Sequence, residues 1–131
     1  MVTVQHSNPS GLPRPNGYSH VVEVSGRLAF VSGQVPLDDA GALVGNDTET
    51  QTRQVFRNIE TALAALGAAM RDVAKLTYFV IDTADVPVIR TVRDEFVDTS
   101  APPASSLVQV VALVDPRFRV EIEAVAELPA V

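Results

Sequence analysis

Hydrophobic and polar positions recur along this chain with two different periods. Val55, Ile59, Leu63 and Leu66 return at helical spacing, Ala62 widens the stripe, and Arg53, Arg57 and Glu60 take the opposite side. This predicts a helix with one buried and one wet face. Asp47 or Thr48 can cap its start, Gln51 stands three residues after Thr48 as in a capping box, and Gly67 suits the left-handed residue beyond the last turn. A second helix is predicted over residues 86–97, with Val88 or Ile89, Val92 and Phe96 facing inward. Pro87 is tolerated in its first turn, where the N–H has no helical acceptor. The run Thr99-Ser100-Ala101-Pro102-Pro103 ends that helix.

Runs rich in β-branched and aromatic residues predict strands over 19–24, 27–33, 76–81, 106–113 and 119–127, with a short one at 42–44. Ser25-Gly26 reads as a two-residue hairpin between the first two, and Asp115-Pro116-Arg117 as a turn between the last two. Leu28-Ala29-Phe30-Val31 is apolar on both sides, as for a strand covered on both faces. Residues 1–16 carry Pro9, Pro13, Pro15, two serines and a glycine, and read as an irregular arm before a single domain over 17–131. The order is β-β-β-α-β-α-β-β. Two helices with one-sided stripes must bury them on one face of a mixed sheet, which is an α+β arrangement. The other face of that sheet needs a cover.

Composition narrows the classes of function. A chain of 131 residues, 47% hydrophobic, can bury one core and is too apolar to be disordered. No run reaches the roughly 18 apolar residues of a membrane span. The N-terminus lacks the basic start and apolar stretch of a secretory signal, so cytoplasmic residence is the expectation. A net charge of −6, with Arg53, Arg57, Arg71 and Lys75 scattered among acids, weighs against nucleic acid as a partner. The absence of cysteine excludes disulfides and thiol chemistry, and two histidines, His6 and His20, are too few for a histidine-rich zinc site. Neither a metal nor an organic cofactor is expected.

Candidate chemistry lies in four short segments. In the last strand, alternation places Glu121, Glu123 and Val125 on one face and Val120, Ile122 and Ala124 on the other. Two carboxylates on one strand face make either a solvated surface or the acid of a cleft. Ser32-Gly33-Gln34 ends an apolar strand, where a glycine either makes a turn or lets a ligand approach the backbone. Gly17-Tyr18-Ser19 and Pro102-Pro103-Ala104-Ser105-Ser106 complete the set.

In that order and at those separations, Gly17-Tyr18-Ser19, Phe30-Val31-Ser32-Gly33-Gln34-Val35-Pro36, Pro103-Ala104-Ser105-Ser106 and Val120-Glu121-Ile122-Glu123-Ala124 resemble the Rid/YjgF family of reactive-intermediate deaminases. The resemblance runs from about Gly17 to Ala126. It implies a Rid/YjgF or chorismate-mutase-like fold, a homotrimer, and a small-molecule substrate held in clefts between neighbouring subunits. It further implies that Glu121 positions the water that attacks an imine carbon, that Gly33 offers a backbone contact with Ser32 beside it, and that Tyr18 lines the cleft. Glu123 is assigned to structure.

The chain departs from the family at Ser105, where deaminases usually carry the arginine that holds the substrate carboxylate. A hydroxyl cannot copy the charge or the planar fork of a guanidinium. Leu107 stands where many members have cysteine or another small residue, and makes the cleft more apolar. Arg90, at a position commonly asparagine in active members, can supply a guanidinium from another wall. Arg93, on roughly the same helical face, and Arg14 in the arm are further candidates; the plainer alternative is exposed arginines beside Asp85 and Asp94. Two expectations follow, a hydrolase of small imines or enamines with an altered substrate, or a non-catalytic trimer that binds a small molecule in the same cleft.

Overall fold

The computed structural model describes residues 4–131. Its elements are β1 (Val4–Ser7), β2 (Val21–Val24), β3 (Leu28–Gln34), α1 (Thr48–Ala64), β4 (Val73–Val80), α2 (Val86–Arg93), β5 (Ala104–Gln109) and β6 (Val120–Glu127). The principal sheet has the order β3-β6-β4-β5, with β4 and β5 parallel and the other neighbours antiparallel. Both helices pack on one face of this mixed sheet, giving the α+β layer arrangement that the stripes predict. The core joins Val55, Phe56, Ile59 and Leu63 of α1 to Ile89 and Val92 of α2, and both sets to Leu76, Tyr78 and Val80 of β4 and Val120, Ile122 and Ala124 of β6.

The β-β-β-α-β-α-β-β order is observed, with a different first strand. Residues 42–44 form only an isolated bridge, Leu37 to Leu43, while the arm expected to be irregular contributes β1. β1 pairs with β2 in a separate two-stranded sheet, from Val4 opposite Val24 to Ser7 opposite Val21. The expected hairpin between β2 and β3 is therefore absent. Glu127 at the end of β6 supplies the physical reason. Its carboxylate accepts the Ser25 N–H at 3.4 Å and fills the space a side chain on Gly26 would need, 2.5 Å from a Cβ built there. The Ser25-Gly26 turn packs against β6 instead of closing a ladder.

The helix boundaries differ in informative ways. Asp47 caps α1 by accepting the Thr50 N–H at 2.9 Å. That bond and a second from the Thr50 hydroxyl at 3.0 Å hold the Asp47 carboxyl below its usual pKa. Gln51 makes no capping box. It is fully buried, donating to the carbonyls of Gly45 (3.2 Å) and Arg117 (2.9 Å) and accepting the Arg119 N–H at 2.7 Å. Helix α1 ends at Ala64, Gly67 takes φ +73° as its role requires, and Leu66 lies outside the stripe with 52% of its surface exposed. Helix α2 stops at Arg93 instead of Val97, burying Ile89 rather than Val88. Strand β5 begins at Ala104, two residues earlier than expected, so Ser105 is a strand residue.

The second face of the principal sheet carries apolar surface without a cover in the single chain. Phe30 is 76% exposed there, with exposed Leu28 on the same strand and exposed Val108 on β5 at the opposite edge of the sheet. The two faces and the α1 stripe give a direct stability contrast. Phe56 is fully buried, stacked on Phe96 and edge-on to Tyr78, so Phe56→Ala is expected to cost about 3–5 kcal/mol. Leu66→Ala, on the same apparent periodicity but exposed, is expected to cost less than about 0.5 kcal/mol. Urea unfolding of the two variants checks both values.

Candidate functional site

The last two residues of β3 before Gln34 break the ladder. Val31 faces Ala124 and Gln34 faces Ile122, so Ser32 and Gly33 together oppose the single residue Glu123. Such a bulge re-aims side chains and backbone groups locally. Its effect here is to bring Gly33 against Glu121: a Cβ built on Gly33 would overlap the Glu121 carboxylate, with Cδ at 2.8 Å. The close approach, and not backbone conformation, is what favours glycine here, since the Gly33 backbone lies outside the left-handed region. Among the described residues, no hydrogen bond or ion pair engages the Glu121 carboxylate, which is half-buried. Glu121 lies opposite Phe79, and Glu123 opposite Thr77. Ser32 is exposed. A more open groove of about 770 Å³ leads from Gly33 and Gln34 along Arg57, Asn58 and Thr61 of α1.

A second constellation lies under α2. Ser105 is registered with Leu76 and Leu107 with Tyr78, both buried on the helix-covered face, so Ser105 and Leu107 turn toward α2. They line a cavity of about 230 Å³ together with Tyr18, Tyr78, Arg90 and Arg93. Tyr18 reaches it because Ser19 ties the chain to the segment before β5: Ser19 Oγ donates to the Pro102 carbonyl at 2.6 Å, and the Ser19 N–H to that of Pro103 at 3.1 Å. Arg93 is 8% exposed; its Nε meets Asp94 at 2.9 Å and its Nη1 the Asn16 carbonyl at 3.5 Å. The guanidinium occupies the space a side chain on Gly17 would fill, and Gly17 itself adopts φ +72°.

The arginines of α2 behave differently from a pair of surface charges. Asp85 is engaged by Arg119, at 2.7 Å from Nη2, and Asp94 by Arg93. Arg90 is exposed at the cavity rim, and no ion pair among the described residues involves it. Arg14 is exposed in the arm and does not line the cavity. Ser105 also makes no hydrogen bond through its hydroxyl among the described residues. Sequence reasoning missed Tyr78, whose buried hydroxyl has no hydrogen-bond partner and whose burial pushes the phenol pKa up. The signal was present: period two places Tyr78 between Leu76 and Val80 on the core face, where a hydroxyl needs an acceptor.

The expected site residues thus form two groups, Ser32, Gly33 and Glu121 at the β3–β6 edge, and Tyr18, Arg90, Ser105 and Leu107 beneath α2. Glu121 and Ser105 project from opposite faces of the sheet and sit two strands apart, roughly 10 Å at about 4.8 Å per step. One small ligand cannot touch both within a single chain. Among the described residues, no cluster of three His, Asp or Glu side chains could hold a metal ion.

The chain as a whole is similar to known proteins. Residues 11–128 match the family model described as Endoribonuclease L-PSP. The chain is 40% identical to Protein DfrA of Myxococcus xanthus over 112 residues, 83% of each protein. It is 33% identical to the 2-iminobutanoate/2-iminopropanoate deaminase of Salmonella typhimurium over 104 residues, 77% of this chain and 80% of that one. Among solved structures, YyfB of Yersinia pestis, a protein of unknown function in the Rid family, superposes with a TM-score of 0.85 at 34% identity. That match covers 97% of this chain and all of the other.

Both glycines that cradle charged groups can be tested by adding one methyl. Gly17→Ala forces a left-handed backbone on alanine and displaces Arg93, and is expected to cost about 1–3 kcal/mol. Gly33→Ala leaves the backbone unstrained and displaces only the mobile end of Glu121, so less than about 1 kcal/mol is expected. Urea denaturation of the two variants reads the difference.

Proposed function

The chain belongs to the Rid/YjgF family, and from that membership we propose that it hydrolyses a small 2-imino acid, or the enamine in equilibrium with it, in clefts formed between subunits of a cytoplasmic homotrimer. The reaction consumes water and the imine and releases ammonia and the 2-oxo acid. Glu121 orients the water, takes its proton as oxygen adds to the imine carbon, and returns a proton to the departing nitrogen. The Gly33 N–H holds an oxygen of the substrate, with Ser32 beside it. Tyr18 and Leu107 wall the cleft, and Ser105 offers a single neutral hydrogen bond where deaminases of the family usually have an arginine. The carboxylate anchor is Arg90, supplied from α2 instead of from the strand.

The observation that carries this reading is the Gly33–Glu121 contact: a bulge and a missing side chain let an unengaged carboxylate on β6 sit against the end of β3. The division of the remaining site residues onto the opposite face supports a cleft completed by a neighbouring copy. Phe30, Leu28 and Val108 on the uncovered face offer the apolar surface such an assembly needs. No helix among the described residues is long and apolar enough to cross a membrane. RNA cleavage, which the description of the matched family model names, is disfavoured by the net charge of −6.

Generating imines in situ with an amino-acid oxidase and following ammonia release tests the proposal. The wild type is expected to accelerate release over spontaneous hydrolysis, and Glu121→Gln to lower kcat/KM by roughly 10²–10⁴-fold. Equal rates for the two proteins would remove Glu121 from the reaction. A wild type that binds 2-oxo acids without turnover would point to the non-catalytic binding trimer instead.

A further inference from the structure

We infer that the hydroxyl of Tyr78 and the guanidinium of Arg90 together hold a single ligand carboxylate in the cavity beneath α2, making the protein selective for small monoanionic 2-imino and 2-oxo acids. The inference rests on the imine-hydrolase reading for the class of ligand and adds the residues that recognise it.

The lining of this cavity is chemically one-sided. Tyr78 is 3% exposed, and its hydroxyl is enclosed without a hydrogen-bond partner, an uncommon state for a buried polar atom. Burial favours the neutral phenol, which keeps its proton to donate, and outweighs the opposing charges of Arg93 and Asp94. Arginine side chains only donate, and the Ser105 hydroxyl is uncommitted. No Asp or Glu lines the cavity. The lining therefore carries two guanidinium groups and no carboxylate; its side-chain acceptors are neutral, the Asn16 amide oxygen and the hydroxyls of Tyr18, Ser105 and Ser106.

Charge balance selects among acceptors. The charge on Arg93 is met by Asp94 at 2.9 Å, whereas that on Arg90 has no counterpart among the described residues. One uncompensated positive charge calls for one negative charge. A carboxylate brings that charge and two oxygens, enough to accept a forked pair of bonds from Arg90 and still receive the phenol and serine protons. A second carboxylate would bring a charge that nothing in the lining balances. The volume of about 230 Å³ suits a small acid and lies below the range of sites for drug-sized ligands. Tyr78 thereby shares the anchoring task that Ser105, as a neutral hydroxyl, cannot perform alone.

Calorimetric titration of the full-length protein with 2-oxobutanoate, a product-like acid that is not consumed, tests the inference. Tyr78→Phe is expected to weaken binding about tenfold, the effect of losing one hydrogen bond to a charged group. Arg90→Gln is expected to weaken it roughly tenfold to a hundredfold. The dianion 2-oxoglutarate and the neutral 2-oxobutanamide are each expected to bind at least about tenfold more weakly than 2-oxobutanoate. The unliganded Tyr78→Phe protein should melt no lower than the wild type, because the change removes a buried hydroxyl that has no partner. Unchanged affinity in Tyr78→Phe, equal affinity for the dianion, or no binding of 2-oxobutanoate by the wild type would each overturn the inference. Failure of the hydrolase reading looks different: binding and its loss in the variants persist while ammonia release is absent.

Discussion

One layer of two helices can bury only one face of a four-stranded sheet, and this one-sided cover governs everything else in the molecule. The stripe of α1 and the inner face of α2 close over Leu76, Tyr78, Val80 and the even-numbered residues of β6 from Val120 to Ala126. Period-two alternation then sends Glu121, Glu123, Phe79 and Phe30 to the other side. The same rule that builds the core therefore separates the acid at Glu121 from Ser105 and Arg90. A reaction that uses both groups needs a second copy of the chain, and the exposed apolar residues on the uncovered face are where we propose that it docks.

The two groups are held by different means. At the β3–β6 edge the device is backbone: an extra residue in β3 and an absent side chain at Gly33 let the Glu121 carboxylate sit against the main chain. Beneath α2 the device is a set of polar ties between distant segments. Arg119 binds Asp85 and Thr48 and so fixes the starts of both helices relative to β6. Ser19 binds the carbonyls of Pro102 and Pro103, which carries Tyr18 and Gly17 to the cavity. Arg93 then fills the space left by Gly17. Helix α2 spans only Val86–Arg93, so these anchors, more than its own length, set where Arg90 and Arg93 point.

Periodicity made most of the fold legible before any coordinates. The α1 stripe from Val55 to Leu63, the strand alternation through Glu121 and the left-handed Gly67 stand where the pattern puts them, because burial and backbone sterics act locally there. What the pattern could not reveal depends on contacts distant in sequence. Ser25-Gly26 has the composition of a hairpin turn, but the Glu127 carboxylate lies over it and β2 pairs with the arm. Gln51 has the spacing of a capping residue, yet it serves as a buried clamp on Arg117 and Arg119. Of the candidate site, the two groups could be named from the resemblance, while their placement on opposite faces required the register. Tyr78 is hidden in the pattern, because a strand of Leu-Thr-Tyr-Phe-Val-Ile reads as core and only the packed structure shows its hydroxyl without a partner.

The central claim is that Glu121 of one copy works with Arg90 of its neighbour. Subunit complementation tests it most directly. Glu121→Gln and Arg90→Ala proteins, each expected to be nearly inactive alone, are unfolded, mixed in equal amounts and refolded together, and ammonia release is measured. If each cleft takes its acid and its arginine from different subunits, random mixing restores about a quarter of wild-type activity, because that share of clefts receives both intact residues. Activity no greater than that of the separate variants, in assemblies shown to contain both chains, would contradict the account.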